Sequence, residues 1–257
     1  MKSKYLENKK VILVGPSPHL INKNMGKFID SFDTVVRVNE LGVSSKYFCD
    51  YGSRTDISFL SISDQSISFY MEMLKRIDIE NLKLIVSPRD RFNYNPLDNT
   101  FTEEVETFYK KLNVNVPFYQ TCKPSFREKY EMFGCNPSTG SLTIYELLNS
   151  NIEQLYICGF SFYLTKYRYQ PERMELWRIP KQNQHGHNIR ISGHDTRKEI
   201  AFLKKEVHKF KKINGDNYFR NIILTKNNFY YEIKRFVNYK LNLDFIKNLI
   251  KLTFYKI

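Results

Sequence analysis

The chain has 257 residues, 42% of them hydrophobic and 26% charged, which excludes a disordered polymer and allows one large α/β domain with its own core. Forty Lys and Arg against 27 Asp and Glu leave a net charge of +13, a balance that favours anionic partners: a nucleotide, a phosphorylated lipid, an acidic membrane surface or nucleic acid. No run approaches the roughly 18 apolar residues of a spanning helix and none reads as a signal peptide, so a cytoplasmic protein is expected.

In chain order, "VILVG" (Val11 to Gly15) is a compact apolar run of the kind that forms a central parallel strand. "PSPHL" follows as a tight connection. "DTVVRVN" (Asp33 to Asn39) and "DISFLSI" (Asp56 to Ile62) read as further strands, and residues 65 to 76 as a helix. "LKLIVS" (Leu82 to Ser87) is a fourth strand, "RDRFNYNPLDN" a polar loop, and Phe101 to Leu112 a helix. Gly140 to Leu148 predicts a helix, and Gln154 to Gly159 a buried strand. Residues 161 to 193 are aromatic and basic with little periodicity, as in a functional loop. "HDTRKEIAFLKKEVHKFKK" is an amphipathic helix and "RNIILT" reads as a last strand.

Alternating strands and helices predict an α/β fold: a single Rossmann-like, doubly wound domain over residues 1–227 with a mostly parallel sheet. Ligands of such sheets bind beyond the carboxyl ends of the strands. Residues 228–257 differ. They mix Phe, Tyr, Leu and Ile with Lys234, Arg235, Lys240, Lys247, Lys251 and Lys256. This basic amphipathic tail can lie on an anionic membrane or pack on the domain as an ordinary helix.

Three stretches suit chemistry. "NPSTGSL" opens a helix, where unpaired N–H groups and the positive end of the dipole meet. Ser138 and Thr139 add hydroxyls and Gly140 permits close approach, an anion cradle; plain N-capping is the other reading. "VGPSPHL" follows a strand, as nucleotide-binding turns do, but Pro16 and Pro18 remove N–H donors. In "SGHDTRKE", Thr196 and Glu199 have capping-box spacing, which places the helix start near Thr196 with His194 just before it. The dipole there would keep the imidazole neutral, as a general base requires; a structural cap histidine is the alternative. "DIE" (Asp78 to Glu80) makes a poor metal site, and His185 with His187 supplies only two ligands, so no metal is expected. Cys49, Cys122, Cys135 and Cys158 have no zinc spacing, and Cys158 reads as a buried small residue.

The motifs in their order resemble the sialyltransferase family (glycosyltransferase family 29). "VGPSPHLINKNMGKFIDSFDTVVRVNELGVSSKYFCDYGSRTD" is similar to the large sialylmotif, matched at Gly15, Leu20, Gly26, Ile29, Asp30, Asp33, Val35, Arg37, Asn39, Gly52, Arg54 and Thr55. "NPSTGSLTIYELLNSNIEQLYICGF" resembles the small motif, "HDTRKE" the very small one, and "KYRYQ" loosely the Tyr-rich third. The resemblance implies a Rossmann-like variant of the GT-A class and a metal-independent, inverting transferase using a CMP-activated acidic sugar. It implies His194 as the base that deprotonates the acceptor hydroxyl. Gly15, Ser17, Asn39, Ser138, Thr139, Gly140 and Gly159 would form the donor site, with Tyr167 and Tyr169 assisting the phosphate.

The chain departs from the family pattern in several places. Pro16 stands where the family has Asn. The family's paired cysteines fall at about Val11 and Ile152, which fits a reducing compartment. The implied partners are CMP-sialic acid or CMP-Kdo, a glycan or lipid-linked glycan acceptor, and no nucleic acid; the motifs do not separate the two donors. A catalytically silent nucleotide-binding scaffold is the rival on the same fold, and a nucleic-acid-binding protein the rival from the charge alone.

Overall fold

The computed structural model describes residues 3–62, 64–89, 102–121, 123–165, 169, 194–226 and 230–234. Seven strands form one sheet: β1 Lys10–Val14, β2 Thr34–Val38, β3 Ile57–Phe59, β4 Leu84–Ser87, β5 Phe118–Gln120, β6 Gln154–Cys158 and β7 Ile213–Gly215. Their order is β5-β4-β3-β2-β1-β6-β7, and every pairing is parallel. The helices are α1 Gly26–Asp30, α2 Phe48–Tyr51, α3 Asp64–Leu74, α4 Thr102–Leu112, α5 Phe126–Phe133, α6 Thr139–Leu148, α7 Thr196–Val207 and α8 Asn217–Phe219.

Because helices cover both faces, the central strands are buried along their length and read as near-continuous apolar runs. All of Thr34–Val38 is buried. Side-chain alternation divides β1 between two cores. Val11 and Leu13 face Leu142, Ile144 and Leu147 of α6 and Ile200 and Leu203 of α7. Ile12 and Val14 face Leu20, Ile29 of α1 and Tyr51 of α2. A third cluster, with Phe69 and Tyr70 of α3 and Phe108 of α4, covers Leu60, Ile62 and Ile85. Val11 and Ile152 both belong to the first core, and Cys49, Cys135 and Cys158 are free thiols.

Chain order makes β1 the pivot. The chain runs outward from β1 to β5, then returns to β6 on the other side of β1. The carboxyl ends of β1 and β6 therefore flank the switch point, where open α/β sheets leave a crevice for ligands.

"RNIILT" is not a strand. Arg220–Leu224 forms a π-helical segment, and the last strand among the described residues is the short β7 before it. Ile222 and Ile223 are both buried, and two adjacent apolar residues fit a helical turn as well as a strand. Asp216 decides the matter: its Oδ1 accepts the Phe219 N–H at 3.0 Å and starts α8. The sequence reading also omits β5 and α5. The start of α5 carried a signal, since Ser125 and Glu128 form a complete capping box.

Much of the large-motif pattern is scaffold. Arg37 on β2 is fully buried and donates to the carbonyls of Tyr51 at 2.7 Å and Arg54 at 2.9 Å and to Thr55 Oγ1 at 2.9 Å. Asp30 accepts the N–H groups of Ser53 and Arg54. Arg54 returns bonds to the carbonyls of Asp30 and Phe32. These contacts lock the loop after α2 against α1 and β2.

A buried ion pair ties α5 to α6. Lys129 Nζ lies 2.7 Å from Glu146 Oε1, 2.8 Å from Thr121 Oγ1 and 3.0 Å from the Pro88 carbonyl. Lys129→Ala would leave a buried carboxylate without its counter-charge. The expected loss is about 3–5 kcal/mol of unfolding free energy, read by urea denaturation.

Candidate functional site

Two glycines shape the switch-point crevice. Gly15 follows β1 and Gly159 follows β6. The Gly15 N–H donates to the Cys158 carbonyl at 2.8 Å, and the Ser17 N–H to the Gly159 carbonyl at 3.0 Å. A Cβ on either glycine would collide with the carbonyl oxygen of the other, and Gly159 has φ +75°. Only glycine lets the two backbones approach this closely. The Phe160 side chain then lies across the turn. A Cβ on Gly15 would meet that ring at 2.7 Å, and one on Gly140 at 2.9 Å. Phe160 thus joins the β1 turn to the start of α6.

That start is the predicted cradle. Ser138 is the N-cap of α6, and its Oγ accepts the Ser141 N–H at 3.2 Å. Leu142 N–H donates to the Ser138 carbonyl. Helix geometry leaves the Thr139 and Gly140 N–H groups without intrahelical acceptors, at the positive end of the dipole. Capping and anion binding are therefore compatible here, because the cap aligns the N–H groups it does not use.

The capping box expected at Thr196 and Glu199 does not form. Asp195 is the N-cap of α7, its carboxylate accepting the N–H groups of Arg197 and Lys198 at 3.1 and 3.2 Å. Glu199 is turned inward instead, toward α6. Its Oε2 accepts Ser138 Oγ–H at 2.6 Å and Ser141 Oγ–H in a shorter bond. Burial pushes the Glu199 carboxyl above its ordinary value, and the two hydroxyls pull against that shift. The very small motif is thereby wired to the small motif through a buried carboxylate.

His194 makes a second link between the same two segments. Its Nδ1 lies 2.9 Å from the Asn136 carbonyl, two residues before Ser138. A carbonyl only accepts, so Nδ1 carries the hydrogen and Nε2 is the nitrogen able to take a proton. Sequence reasoning could place His194 before a helix; only the fold places it against the approach to the cradle.

Arg89 is a residue the sequence reading missed inside its polar loop. It is buried at the carboxyl end of β4, and its Nη2 donates to the Pro137 carbonyl at 2.7 Å. The guanidinium lies 4.7 Å from the Phe126 ring centroid. Arg89 holds the Pro137 peptide in place and adds positive charge behind Glu199. No sequence signal separates it from an ordinary loop arginine.

Asn39 stands at the end of β2 with φ +53°, a conformation Asn tolerates better than most residues. Its Oδ1 accepts the Ser61 N–H at 2.6 Å and the Tyr70 O–H at 3.1 Å. The side-chain carbonyl therefore belongs to the scaffold. Ser17 is buried in the β1 turn. Tyr169 is half-buried, while Tyr167, His185 and His187 lie outside the described residues. The Glu80 N–H donates to Asp78 Oδ1, a local turn. Among the described residues, no group of three or more His, Cys, Asp or Glu is placed to hold a metal, and no helix is long and apolar enough to cross a membrane.

Two crystal structures of a mammalian sialyltransferase align with the chain at 15% and 16% identity. Each alignment covers 81% of this chain and 69% of the solved chain, with a TM-score of 0.45. One of the two is a complex with Gal-beta-1-3GalNAc-ortho-nitrophenol. No curated protein matches the chain. The family model for glycosyltransferase family 29 (sialyltransferase) matches residues 2–209, a span from β1 through α7. The chain is a glycosyltransferase and belongs to family 29, the sialyltransferases.

Proposed function

We propose that the protein transfers sialic acid from CMP-sialic acid to a hydroxyl of a glycan or glycolipid, with inversion and without a metal. One observation carries this reading: the cradle at Ser138–Gly140 and His194 are held together by two independent bonds, His194 to Asn136 and Glu199 to Ser138. A leaving-group site and a base are thereby fixed on one rigid frame.

His194 Nε2 takes the proton of the acceptor hydroxyl as that oxygen attacks the anomeric carbon. The bond from that carbon to the CMP phosphate oxygen breaks, and its electron pair leaves with the phosphate. The α6 N–H groups and the positive end of the helix dipole stabilise the charge that develops there. The proton on His194 then passes to solvent.

CMP-Kdo carries the same leaving group, so the donor is settled by experiment. CMP release would be followed with EDTA present, offering CMP-sialic acid and CMP-Kdo separately with a mixed glycan pool. Acceptor-dependent release from CMP-sialic acid, undiminished by EDTA, is the expected result. Release from CMP-Kdo alone would reassign the donor, and loss with EDTA would defeat the metal-free mechanism.

The proposal extends to the basic tail at residues 228–257, of which 230–234 are described. Its composition supports contact with an anionic lipid surface on the cytoplasmic side. Flotation with anionic liposomes should fall to background when residues 233–257 are removed. Equal flotation with and without them would exclude that role.

A further inference from the structure

The turn after β1 reads Gly15-Pro16-Ser17-Pro18-His19 and stands at the switch point beside Gly159. Its backbone has no N–H to offer an anion between residues 15 and 18. Pro16 and Pro18 carry none. The N–H groups of Gly15 and Ser17 are bonded to the Cys158 and Gly159 carbonyls. Any hydrogen bond this stretch donates to a ligand must come from the Ser17 hydroxyl.

That hydroxyl lies 3.0 Å from His19 Nδ1. The other ring nitrogen, Nε2, lies 2.8 Å from Asp216 Oδ2. Asp216 is itself fixed, since Oδ2 also accepts the Gly159 N–H at 2.8 Å and Oδ1 accepts the Phe219 N–H at 3.0 Å. The line Ser17–His19–Asp216 joins the ends of β1, β6 and β7. The His19 and Asp216 side chains each retain 12% of their surface, while Ser17 retains 4%.

The ring's protonation decides what Ser17 can do. A neutral imidazole has one N–H, and the carboxylate claims it at Nε2. Nδ1 is then an acceptor, and the Ser17 O–H points inward to it. A protonated ring has N–H on both sides. Nδ1 then donates to Ser17 Oγ, and the hydroxyl hydrogen turns outward. The same proton adds a positive charge at the carboxyl edge of the sheet. Both changes favour an anion.

We propose that the His19–Asp216 pair is a proton-linked positioning element that turns Ser17 into a hydrogen-bond donor for the phosphate of the nucleotide donor. The inference rests on the nucleotide-donor reading above and deepens it. Binding of a phosphodiester takes up a proton at His19, and no covalent bond is made or broken there.

Other ionisable groups pack around the pair. Tyr218 of α8 packs on the His19 ring with centroids 4.4 Å apart. Tyr51 of α2 donates its hydroxyl to the Ser17 carbonyl at 2.6 Å. Cys158 and Tyr156 of β6 lie near Asp216, and the Arg220 guanidinium, which bonds Asn217 Oδ1, acts on Tyr156. Burial pushes the Tyr51, Tyr156, Cys158 and Tyr218 groups up, so none of them changes charge between about pH 5.5 and 8, where imidazole ordinarily does. Among the described residues, His194 and the raised Glu199 carboxyl are further ionisable groups of the candidate site, and each supplies a control.

The test is calorimetric titration of the full chain with the methyl ester of CMP, whose phosphate keeps one charge over this range. Titrations at about pH 5.5, 7 and 8, each in two buffers of different ionisation enthalpy, measure affinity and proton uptake. The parent should bind about fivefold or more tightly at the lower pH, with a fractional proton uptake that peaks between the two pH values, about 0.4 proton for a fivefold effect. Cytidine, lacking the phosphate, should show neither effect. His19→Gln keeps groups able to bond Asp216 and Ser17, and should reduce the pH effect to within about twofold. Ser17→Ala, a smaller change, should bring low-pH affinity toward the high-pH value. His194→Asn and Glu199→Gln should each retain the full effect. A pH effect that survives His19→Gln, or that cytidine shares, would overturn the inference while the donor reading stands. Failure of both ligands to bind at either pH would overturn the donor reading, and the inference with it.

Discussion

His194→Ala should lower the rate of acceptor-dependent CMP release by about 10²–10⁴-fold, the usual worth of a positioned general base. CMP affinity should change by less than about threefold, because the cradle is built on α6 and not on the imidazole. The physical ground is the tautomer. Nδ1 donates to the Asn136 carbonyl, which directs Nε2 to proton transfer. His194→Gln would preserve the bond to that carbonyl and still lack a base near neutrality. It should therefore match alanine in rate while keeping the parent's stability. A rate within about tenfold of the parent for both variants would remove His194 from the mechanism. Equal loss of CMP binding and rate would make it a structural residue of the cradle.

The second large effect falls on Glu199. Glu199→Ala leaves the buried Ser141 hydroxyl and the half-buried Ser138 hydroxyl without their shared acceptor and opens a void between α6 and α7. About 3 kcal/mol or more of stability should be lost, along with most donor binding. Glu199→Gln separates charge from contact. Burial raises the Glu199 carboxyl, so the folded state holds its proton more tightly than the unfolded chain does. This contribution to stability is fully present below the ordinary carboxylate value and is lost as pH rises through the raised one. The parent should therefore lose stability across that window as pH increases, and Glu199→Gln should not. Urea midpoints measured between about pH 4 and 8 read the difference. A parent and glutamine variant with parallel pH profiles would show that the carboxylate is comfortably ionised where it lies.

Legibility in the sequence followed the range of the forces involved. The strands at Val11, Asp33, Leu82 and Gln154 were readable because parallel strands covered on both faces are continuous apolar runs, and the residues themselves announce that burial. The α6 start was readable because a cap is a contact between residues three apart in sequence. The same local logic fails at Thr196 and Glu199. Their spacing permits a capping box, yet Asp195 caps the helix and Glu199 bonds residues about 60 positions earlier. A spacing rule has no means of weighing a distant partner against a near one. "RNIILT" failed for a related reason: adjacent buried isoleucines occur in strands and helical turns alike, and Asp216 tips the balance.

Arg89, Phe160 and the His19–Asp216 pair carried no local signal at all. Each depends on segments that meet only after the sheet is assembled: β4 with the α6 approach, β6 with β1, β1 with β7. The sequence by itself determined the alternation of strands and helices, the glycines at the ends of β1 and β6, the capped helix start at Ser138–Gly140, and the histidine before α7. Those features rest on periodicity, backbone sterics and short-range capping, which act within a few residues. The tertiary structure alone decided that β6 returns beside β1 and that Glu199 and His194 both tie α7 to the start of α6. It alone decided that Asp216 reaches His19. Hydrogen bonds and buried charges act over about 3 Å in space and are blind to separation along the chain.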